Sequence, residues 1–115
     1  MFKFKKENSE EKRISESDRI LKKYPNRIPV IVEKDPRSKL NDIDKNKFLV
    51  PNDMNFSQFI YVIRRRINLL PEAALFLFVN GIMAKNGSSM NEIYQTHKDK
   101  DGFIYITYTS ENTFG

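Results

Sequence analysis

Residues 55–67, Asn-Phe-Ser-Gln-Phe-Ile-Tyr-Val-Ile-Arg-Arg-Arg-Ile, are the stretch that decides the fold. Asn55 and Gln58 have the spacing of a capping box, in which each side chain satisfies a backbone N–H at the start of a helix. Apolar side chains then recur at the spacing of one helix face, at Phe56, Phe59, Ile60, Ile63 and Ile67. This stripe predicts an amphipathic helix that packs on a core, and Leu70-Pro71 is expected to end it.

Two strands are predicted before this helix. Residues 28–34 are rich in β-branched side chains, and Pro29 indicates the beginning of a strand or an exposed edge because it has no N–H. A polar loop follows over residues 35–46. Residues 47–51, Lys-Phe-Leu-Val-Pro, predict a short second strand that a proline closes. If this strand is an edge, its backbone groups are free to pair with a partner peptide; an ordinary blunted edge is the alternative.

Two more strands are predicted after the helix. Residues 75–79 are entirely apolar and predict a central strand. Asn80-Gly81 is a strong hairpin-turn signal, and a brief return strand is expected at residues 82–83. Residues 103–109 combine aromatic and β-branched side chains and predict a long final strand, which follows a turn at Asp101-Gly102.

Two further helices complete the pattern. A capping box at Asn8 and Glu11 predicts a helix that runs to Tyr24, before a proline. Its few apolar residues indicate that it lies on the surface of something else rather than in a core. Ser89 and Glu92 form another capping box and predict a short helix.

The order of these elements favours the α+β class, with a mixed sheet wrapped around one helix in a β-grasp roll. The length of 115 residues predicts a single domain. Its expected parts are an N-terminal helical extension over residues 1–25, a β-grasp core over 26–109 and a flexible C-terminal tail over 110–115.

The composition excludes several kinds of chemistry. The chain has no Cys, which removes disulfides, thiolate zinc sites and a cysteine nucleophile. Its single histidine, His97, excludes metal sites built on several histidines and fits a solvated helix end better than a catalytic base. The glycines stand singly, so no phosphate-binding loop is present. We therefore expect no catalytic residues, no metal and no cofactor.

Membrane insertion is not expected either. The longest apolar run covers residues 73–79, whereas a spanning helix needs about 20 residues. The N-terminus lacks the apolar region of a signal peptide. Without a spanning segment, any membrane association must come from a surface or a covalent lipid. The absence of Cys makes a cytoplasmic or nuclear setting the default.

Three functional classes remain open from the residues alone. The net charge of +5 invites nucleic-acid binding, but acidic residues interleave with the basic ones and no nucleic-acid motif appears, so we expect no nucleic-acid partner. An enzyme would need a nucleophile paired with a base, or a metal cluster, which the spacing does not support. An interaction module is the third class, and residues 47–51 are its physical hint.

Four blocks of the sequence resemble the GABARAP-type autophagy modifiers: residues 23–34 (KYPNRIPVIVEK), 44–51 (DKNKFLVP), 63–67 (IRRRI) and 75–80 (LFLFVN). The end of the chain, from Tyr108 through Glu111 to Phe114-Gly115, is similar as well. The likeness covers essentially the whole chain and is nearer to the GABARAP branch than to the light-chain-three branch.

This resemblance implies a ubiquitin-like fold with two additional N-terminal helices. It also implies conjugation of the C-terminal Gly115 to phosphatidylethanolamine by cysteine-bearing activating and conjugating enzymes, with a cysteine protease acting in deconjugation. The chain would then be lipid-anchored on autophagosomes or related vesicles. The alternative is a β-grasp adaptor that binds peptides or the cytoskeleton without conjugation.

The resemblance further implies that cargo receptors bind through aromatic-x-x-aliphatic peptides that add a strand beside the second strand. The pocket for the aromatic side chain would comprise Glu16, Ile20, Pro29, Lys47, Leu49 and Phe103. The pocket for the aliphatic side chain would comprise Phe48, Val50, Pro51, Met54, Phe59 and Val62. Acidic residues beside the peptide motif would meet Arg27, Lys45 and Arg66. Gly102 departs from the family pattern and is expected to loosen the wall at Phe103.

Overall fold

The computed structural model describes residues 2–111. Its elements are α1 (Lys3–Glu7), α2 (Glu10–Lys23), β1 (Arg27–Lys34), β2 (Lys47–Pro51), α3 (Phe56–Arg66), β3 (Phe76–Val79), α4 (Met90–His97) and β4 (Ile104–Thr109). The four strands form one sheet in the order β2-β1-β4-β3. The central pair β1–β4 is parallel, and both outer pairs are antiparallel. The predicted α+β class and β-grasp roll are confirmed.

The helix that decides the fold begins as predicted and ends earlier. Asn55 Oδ1 accepts from Gln58 N–H at 2.9 Å, and Gln58 Oε1 accepts from Asn55 N–H at 2.9 Å, which completes the capping box. The helix stops at Arg66 because Asn68 takes a left-handed φ of +55°. Asn68 N–H donates to Arg65 O and the next N–H donates to Arg64 O, which is a Schellman ending. Leu70-Pro71 therefore lies beyond the stop.

The N-terminal helices differ in detail from the sequence prediction. Ser9, and not Asn8, caps α2 by accepting from Lys12 N–H. The amide of Asn8 instead donates to Phe4 O at 3.0 Å and so belongs to the end of α1. The residue pattern alone indicated no helix over residues 1–8; the resemblance supplied the second extra helix.

A side chain from the sheet anchors α1. The Phe2 N-cap makes no side-chain hydrogen bond to this helix. The Glu33 carboxylate on β1 accepts from Lys3 N–H at 2.9 Å and from Phe4 N–H at 3.1 Å. A negative group at this end satisfies N–H groups that have no partner within the helix, so Glu33 ties α1 to the sheet.

The strand positions correct two expectations. The apolar segment predicted at residues 75–79 contains β3, which begins at Phe76 and lies at an edge of the sheet, not at its centre. Its side chains are apolar because most of them are buried in the core. The turn at Asn80-Gly81 is present, with φ values of +52° and +77°, but the return strand reduces to a single bridge between Val79 and Ile82.

Pro29 lies near the start of a central strand and not at an edge. The hydrogen-bonded pairs between β1 and β2 involve the even-numbered residues, since Val32 N–H donates to Asn46 O and Asn52 N–H donates to Asn26 O. The nitrogen of Pro29 therefore points away from β2 and towards β4. Pairing with β4 begins only at Val30, so the missing N–H leaves no gap in the ladder.

The sheet has an apolar face on each side. Helices α3 and α4 cover the first, here called the α3 face, which includes Ile28, Val30, Val32, Phe48, Val50, Ile104 and Ile106. Helices α1 and α2 cover the second, here called the α2 face, which includes Ile31, Leu49, Phe103 and Tyr105. Because side chains alternate along a strand, β1, β2 and β4 each contribute side chains to both cores.

Candidate functional site

Strand β2 is an edge of the sheet, and its outer side carries backbone groups that β1 does not use. Phe48 and Val50 form the hydrogen-bonded pairs with β1, so their backbone N–H and C=O groups point inward. The outward groups therefore belong to Lys47, Leu49 and Pro51. Pro51 has no N–H, and its carbonyl accepts from Met54 N–H at 3.1 Å. Lys47 and Leu49 therefore present the outward N–H and C=O groups of this five-residue strand.

The residues expected to hold an aromatic side chain come together on the α2 face. Ile20, Leu49 and Phe103 belong to one apolar cluster, and Pro29 lies opposite Leu49 in the sheet. Glu16 of α2 forms an ion pair with Lys47 of β2, which joins the helix to the edge strand. The six predicted residues come from α2, from β1 and β2, and from the position just before β4, and Glu16, Lys47 and Leu49 among them are half-buried.

The residues expected to hold an aliphatic side chain divide into two groups. Phe59 is fully buried, and its ring meets Phe48 edge-on at 5.9 Å between centroids. Phe48 and Val50 are also buried, so these three form the floor. The other three predicted residues are half-buried and line one surface groove with Asp53, Ser57, Gln58 and Tyr61; they are Pro51, Met54 and Val62.

Cations surround the edge strand. Lys45 Nζ lies 5.3 Å from the centre of the Phe48 ring, and the Arg66 guanidinium lies 5.9 Å from it. Arg66 also pairs with Asp44 at 3.6 Å. Arg27 donates from Nη1 to Leu49 O at 3.3 Å. The three cations predicted to meet acidic residues are thus all placed at β2, two beside the α3 face and one on its outward carbonyl.

A buried polar network fixes α2 over this site. Arg13 Nε lies 2.8 Å from the Asp101 carboxylate, and Ser17 Oγ donates to Asp101 O at 2.5 Å. Tyr105 donates its hydroxyl to the same carboxylate. Burial raises the pKa of Tyr105 well above its ordinary value, and the bond to Asp101 adds to the shift. The network holds the helix that carries Glu16 and Ile20.

Gly102 does not loosen the wall at Phe103. Its φ is +92°, and a Cβ built on it would lie 2.3 Å from Ser17 Oγ. Phe103 is fully buried beside it. Glycine is the residue that lets α2 approach this turn closely, because a Cβ here would collide with Ser17.

Phe4 is the residue at this site that the sequence reasoning missed. Its ring packs edge-on against Phe103 at 5.2 Å, and Lys47 Nζ lies 5.5 Å from its centre. The only sequence signal was an aromatic residue in a basic segment without periodicity, which does not specify a contact with residues almost a hundred positions away.

Other expectations concern absent chemistry and the end of the chain. Within residues 2–111, no group of three or more His, Asp or Glu side chains is placed to hold a metal ion. His97 is the last residue of α4, as expected for a helix-end histidine. In the same part of the chain, no helix has both the length and the apolar character needed to cross a membrane. Gly115 lies outside the described residues.

Comparison with known proteins decides the family. The family model for "Autophagy protein Atg8 ubiquitin like" matches residues 12–115. Autophagy-related protein 8 of Candida glabrata is 55% identical over 112 residues, which cover 97% of this chain and 95% of the relative. The chain belongs to the Atg8 family. It is a ubiquitin-like protein of autophagy, and the resemblance read from the sequence is confirmed.

Other members of the Atg8 family agree. Autophagy-related protein 8e of Arabidopsis thaliana is 54% identical over 97% of this chain and 92% of its own length. The structure of Plasmodium falciparum Atg8 in complex with a Plasmodium falciparum Atg3 peptide matches with a TM-score of 0.91 and 41% identity, over 99% of this chain and 100% of that one. The ubiquitin-like fold with its additional N-terminal helices is thus shared by an Atg8 of known structure.

Proposed function

We propose that this Atg8 family chain is a modifier that is conjugated through Gly115 to phosphatidylethanolamine and recruits partners carrying aromatic-x-x-aliphatic peptides. The observation that carries the peptide-binding half is the outer edge of β2, where the outward backbone groups of Lys47 and Leu49 lie between two apolar faces. An added strand would form backbone hydrogen bonds with those groups, and its side chains would alternate between the faces.

The geometry accounts for the spacing of the peptide motif. Side chains alternate along a strand, so residues three positions apart point to opposite faces. An aromatic residue would enter beside Ile20, Leu49 and Phe103 on the α2 face. The aliphatic residue three positions on would then reach the groove of Met54 and Val62 on the α3 face. The cations Arg27, Lys45 and Arg66 would attract acidic residues beside the motif.

The conjugation half rests on family membership and on the chemistry of the C-terminal residue. A glycine has no Cβ to crowd the narrow sites in which its carboxylate is activated and then attacked by an amine. The chain itself has no Cys, so the thioester intermediates must form on partner enzymes. We propose that the activating enzyme, the conjugating enzyme and the deconjugating protease supply these cysteines. A complex of the Plasmodium relative with an Atg3 peptide supports a peptide contact with the conjugating enzyme.

In this proposal the chain is not an enzyme. It is cytoplasmic before conjugation and lipid-anchored on autophagosomal or related vesicle membranes afterwards, where it recruits cargo receptors and tethering factors and supports membrane expansion. One phosphatidylethanolamine adduct brings two acyl chains, which is enough for stable anchoring.

Reconstitution tests the conjugation. The chain is mixed with ATP, the activating and conjugating enzymes of an Atg8 system and phosphatidylethanolamine liposomes, and its intact mass is measured. We expect a gain equal to one lipid less one water, which disappears when Gly115 is deleted. No gain, with the same enzymes active on a control Atg8 protein, would leave the non-conjugated adaptor as the better account.

Peptide titration tests the binding edge separately. Leu49→Ala and Lys47→Ala should each weaken binding of an aromatic-x-x-aliphatic peptide, by a few kcal/mol at most for an anchor site. Lys85→Ala, a change at an exposed residue between β3 and α4, is the matched control and should leave binding unchanged. Equal affinities for all four proteins would contradict the assignment of β2.

A further inference from the structure

The outward acceptors of β2 are few, which makes each of them important for a partner strand. Pro51 O is already taken by Met54 N–H. Leu49 is the middle residue of the strand, so a peptide of either direction that pairs along β2 must donate an N–H to its carbonyl. Any hydrogen bond that Leu49 O accepts in the unbound chain therefore affects the affinity of every such peptide.

In the structure, the Arg27 side chain donates a hydrogen bond to that carbonyl. Arg27 is the first residue of β1 and lies opposite Pro51 in the sheet. Its Nη1 donates to Leu49 O at 3.3 Å, from an exposed position. A guanidinium has five N–H donors and no acceptor, so it can satisfy the edge carbonyl but cannot itself extend the sheet.

We infer that Arg27 is a specificity-determining residue that holds the central acceptor of β2 until an acidic residue of a partner peptide draws its guanidinium away. The inference rests on the proposed strand addition at β2. The same side chain then has two opposite effects. It attracts peptides with a carboxylate beside the motif, and it hinders peptides that have none.

The energetics give this exchange its direction. A guanidinium–carboxylate pair is charge-assisted and can be bidentate, whereas the bond to Leu49 O has one charged and one neutral partner. An acidic peptide therefore offers the Arg27 guanidinium a better acceptor than Leu49 O. The backbone N–H of the peptide can then donate to Leu49 O. A neutral peptide meets the guanidinium on the outward side of the same carbonyl and offers it no carboxylate in exchange, which lowers the affinity of that peptide.

The experiment uses two peptides with the same aromatic-x-x-aliphatic core, one flanked by aspartates and the other by serines. Each is titrated calorimetrically into the full chain, the Arg27→Met variant and the Lys45→Met variant. Both substitutions remove one positive charge at β2, but Lys45 lies over the Phe48 ring and not on the edge carbonyl. Lys45→Met is therefore the matched control.

We expect both variants to bind the aspartate-flanked peptide more weakly. Only Arg27→Met should bind the serine-flanked peptide more tightly, by about threefold, the scale of one exposed hydrogen bond. Unchanged or weaker binding of the serine-flanked peptide by Arg27→Met would overturn the inference while leaving peptide binding at β2 intact. If neither peptide binds the unsubstituted chain, the proposed strand addition fails and the inference fails with it.

A readout in the unbound chain tests the contact directly. The carbonyl ¹³C resonance of Leu49 should move in Arg27→Met, because it loses a hydrogen bond, and should stay in place in Lys45→Met. An unmoved Leu49 resonance in Arg27→Met would show that Arg27 does not hold this carbonyl, and would overturn the inference. Neither variant should unfold, since both side chains are exposed.

Discussion

Arg13 of α2 and Asp101, which precedes β4, form an ion pair with a 2.8 Å separation, in which the carboxylate side chain is fully buried. The Arg13 side chain is 9% exposed, and its Nη1 also donates to Asn8 O at 2.6 Å. One pair thus joins α1, α2 and the start of β4. The ion pair holds α2 in place over the α2 face of the sheet.

Breaking this pair should be costly. Arg13→Met keeps most of the apolar stem but leaves the Asp101 charge buried without its partner, and we expect a loss of about 3–5 kcal/mol in the free energy of unfolding. Lys100 and Glu10 provide a control, since they pair at 3.1 Å with side chains 79% and 48% exposed. Lys100→Met should change stability by less than about 1 kcal/mol. Similar urea midpoints for the two variants would contradict this account.

A glycine comparison tests the close approach of α2. Gly102→Ala combines a left-handed φ of +92° with a Cβ placed 2.3 Å from Ser17 Oγ, so we expect destabilisation by about 2–4 kcal/mol. Gly87 has open space around it, and Gly87→Ala should be close to neutral. Thermal unfolding of the two variants measures the difference. Equal melting temperatures would mean that the turn can move away from α2.

Tyr108 makes stability sensitive to alkaline pH. Burial raises its pKa to about 12 from an ordinary 10.0, and its hydroxyl donates to Asn41 O at 2.6 Å. The folded state therefore keeps a proton that the unfolded chain releases above pH 10. Stability is fully present below the unfolded pKa and falls as the pH rises towards 12, by up to about 1.4 kcal/mol per pH unit.

Tyr108→Phe isolates this effect. At pH 8 the variant should be about 1 kcal/mol less stable, because it loses a hydrogen bond. Its stability no longer depends on this proton, so the gap to the parent chain should close between pH 10 and pH 11. Urea unfolding at pH 8, 10 and 11 measures this difference in stability. A difference that stays constant would show that the pKa of Tyr108 is the same in the folded and the unfolded state.

Two members of the predicted aliphatic pocket should behave differently on truncation. Phe59 of α3 is fully buried against the α3 face of the sheet, so Phe59→Ala should lower the free energy of unfolding by about 3–5 kcal/mol. Val62 is half-buried and lines the surface groove. Val62→Ala should weaken peptide binding several-fold with little loss of stability. Urea unfolding and peptide titration of both variants test this. A large loss of stability in Val62→Ala with little loss in Phe59→Ala would contradict the assignment of Phe59 to the floor and Val62 to the surface groove.

The sequence predicted the elements that local signals encode. The capping boxes at Asn55 and Ser89, the turn at Asn80-Gly81 and the bounds 47–51 of β2 all follow from nearby residues, and the structure has each of them. Even the error at Asn8 is local, because Ser9 has an equally suitable side chain one position later.

Strand order and buried polar contacts could not be read in the same way. An apolar run such as residues 75–79 shows that a strand is buried, but its place in the sheet depends on pairing with a segment about thirty residues away. Arg13 looks like one more surface cation until the fold brings Asp101 to it. The outward groups of Leu49 and their contact with Arg27 depend on sheet register, which no single segment of the sequence specifies.

The most direct test of the central claim is to vary the spacing of the two anchors in the partner peptide. Fluorescence anisotropy would compare peptides in which the aromatic and aliphatic residues stand two, three or four positions apart, with identical flanks. If β2 accepts a strand with one pocket on each face, spacing three should bind and both even spacings should lose most of the affinity, since they place both anchors on one face. Equal affinity for the three spacings would contradict strand addition at β2.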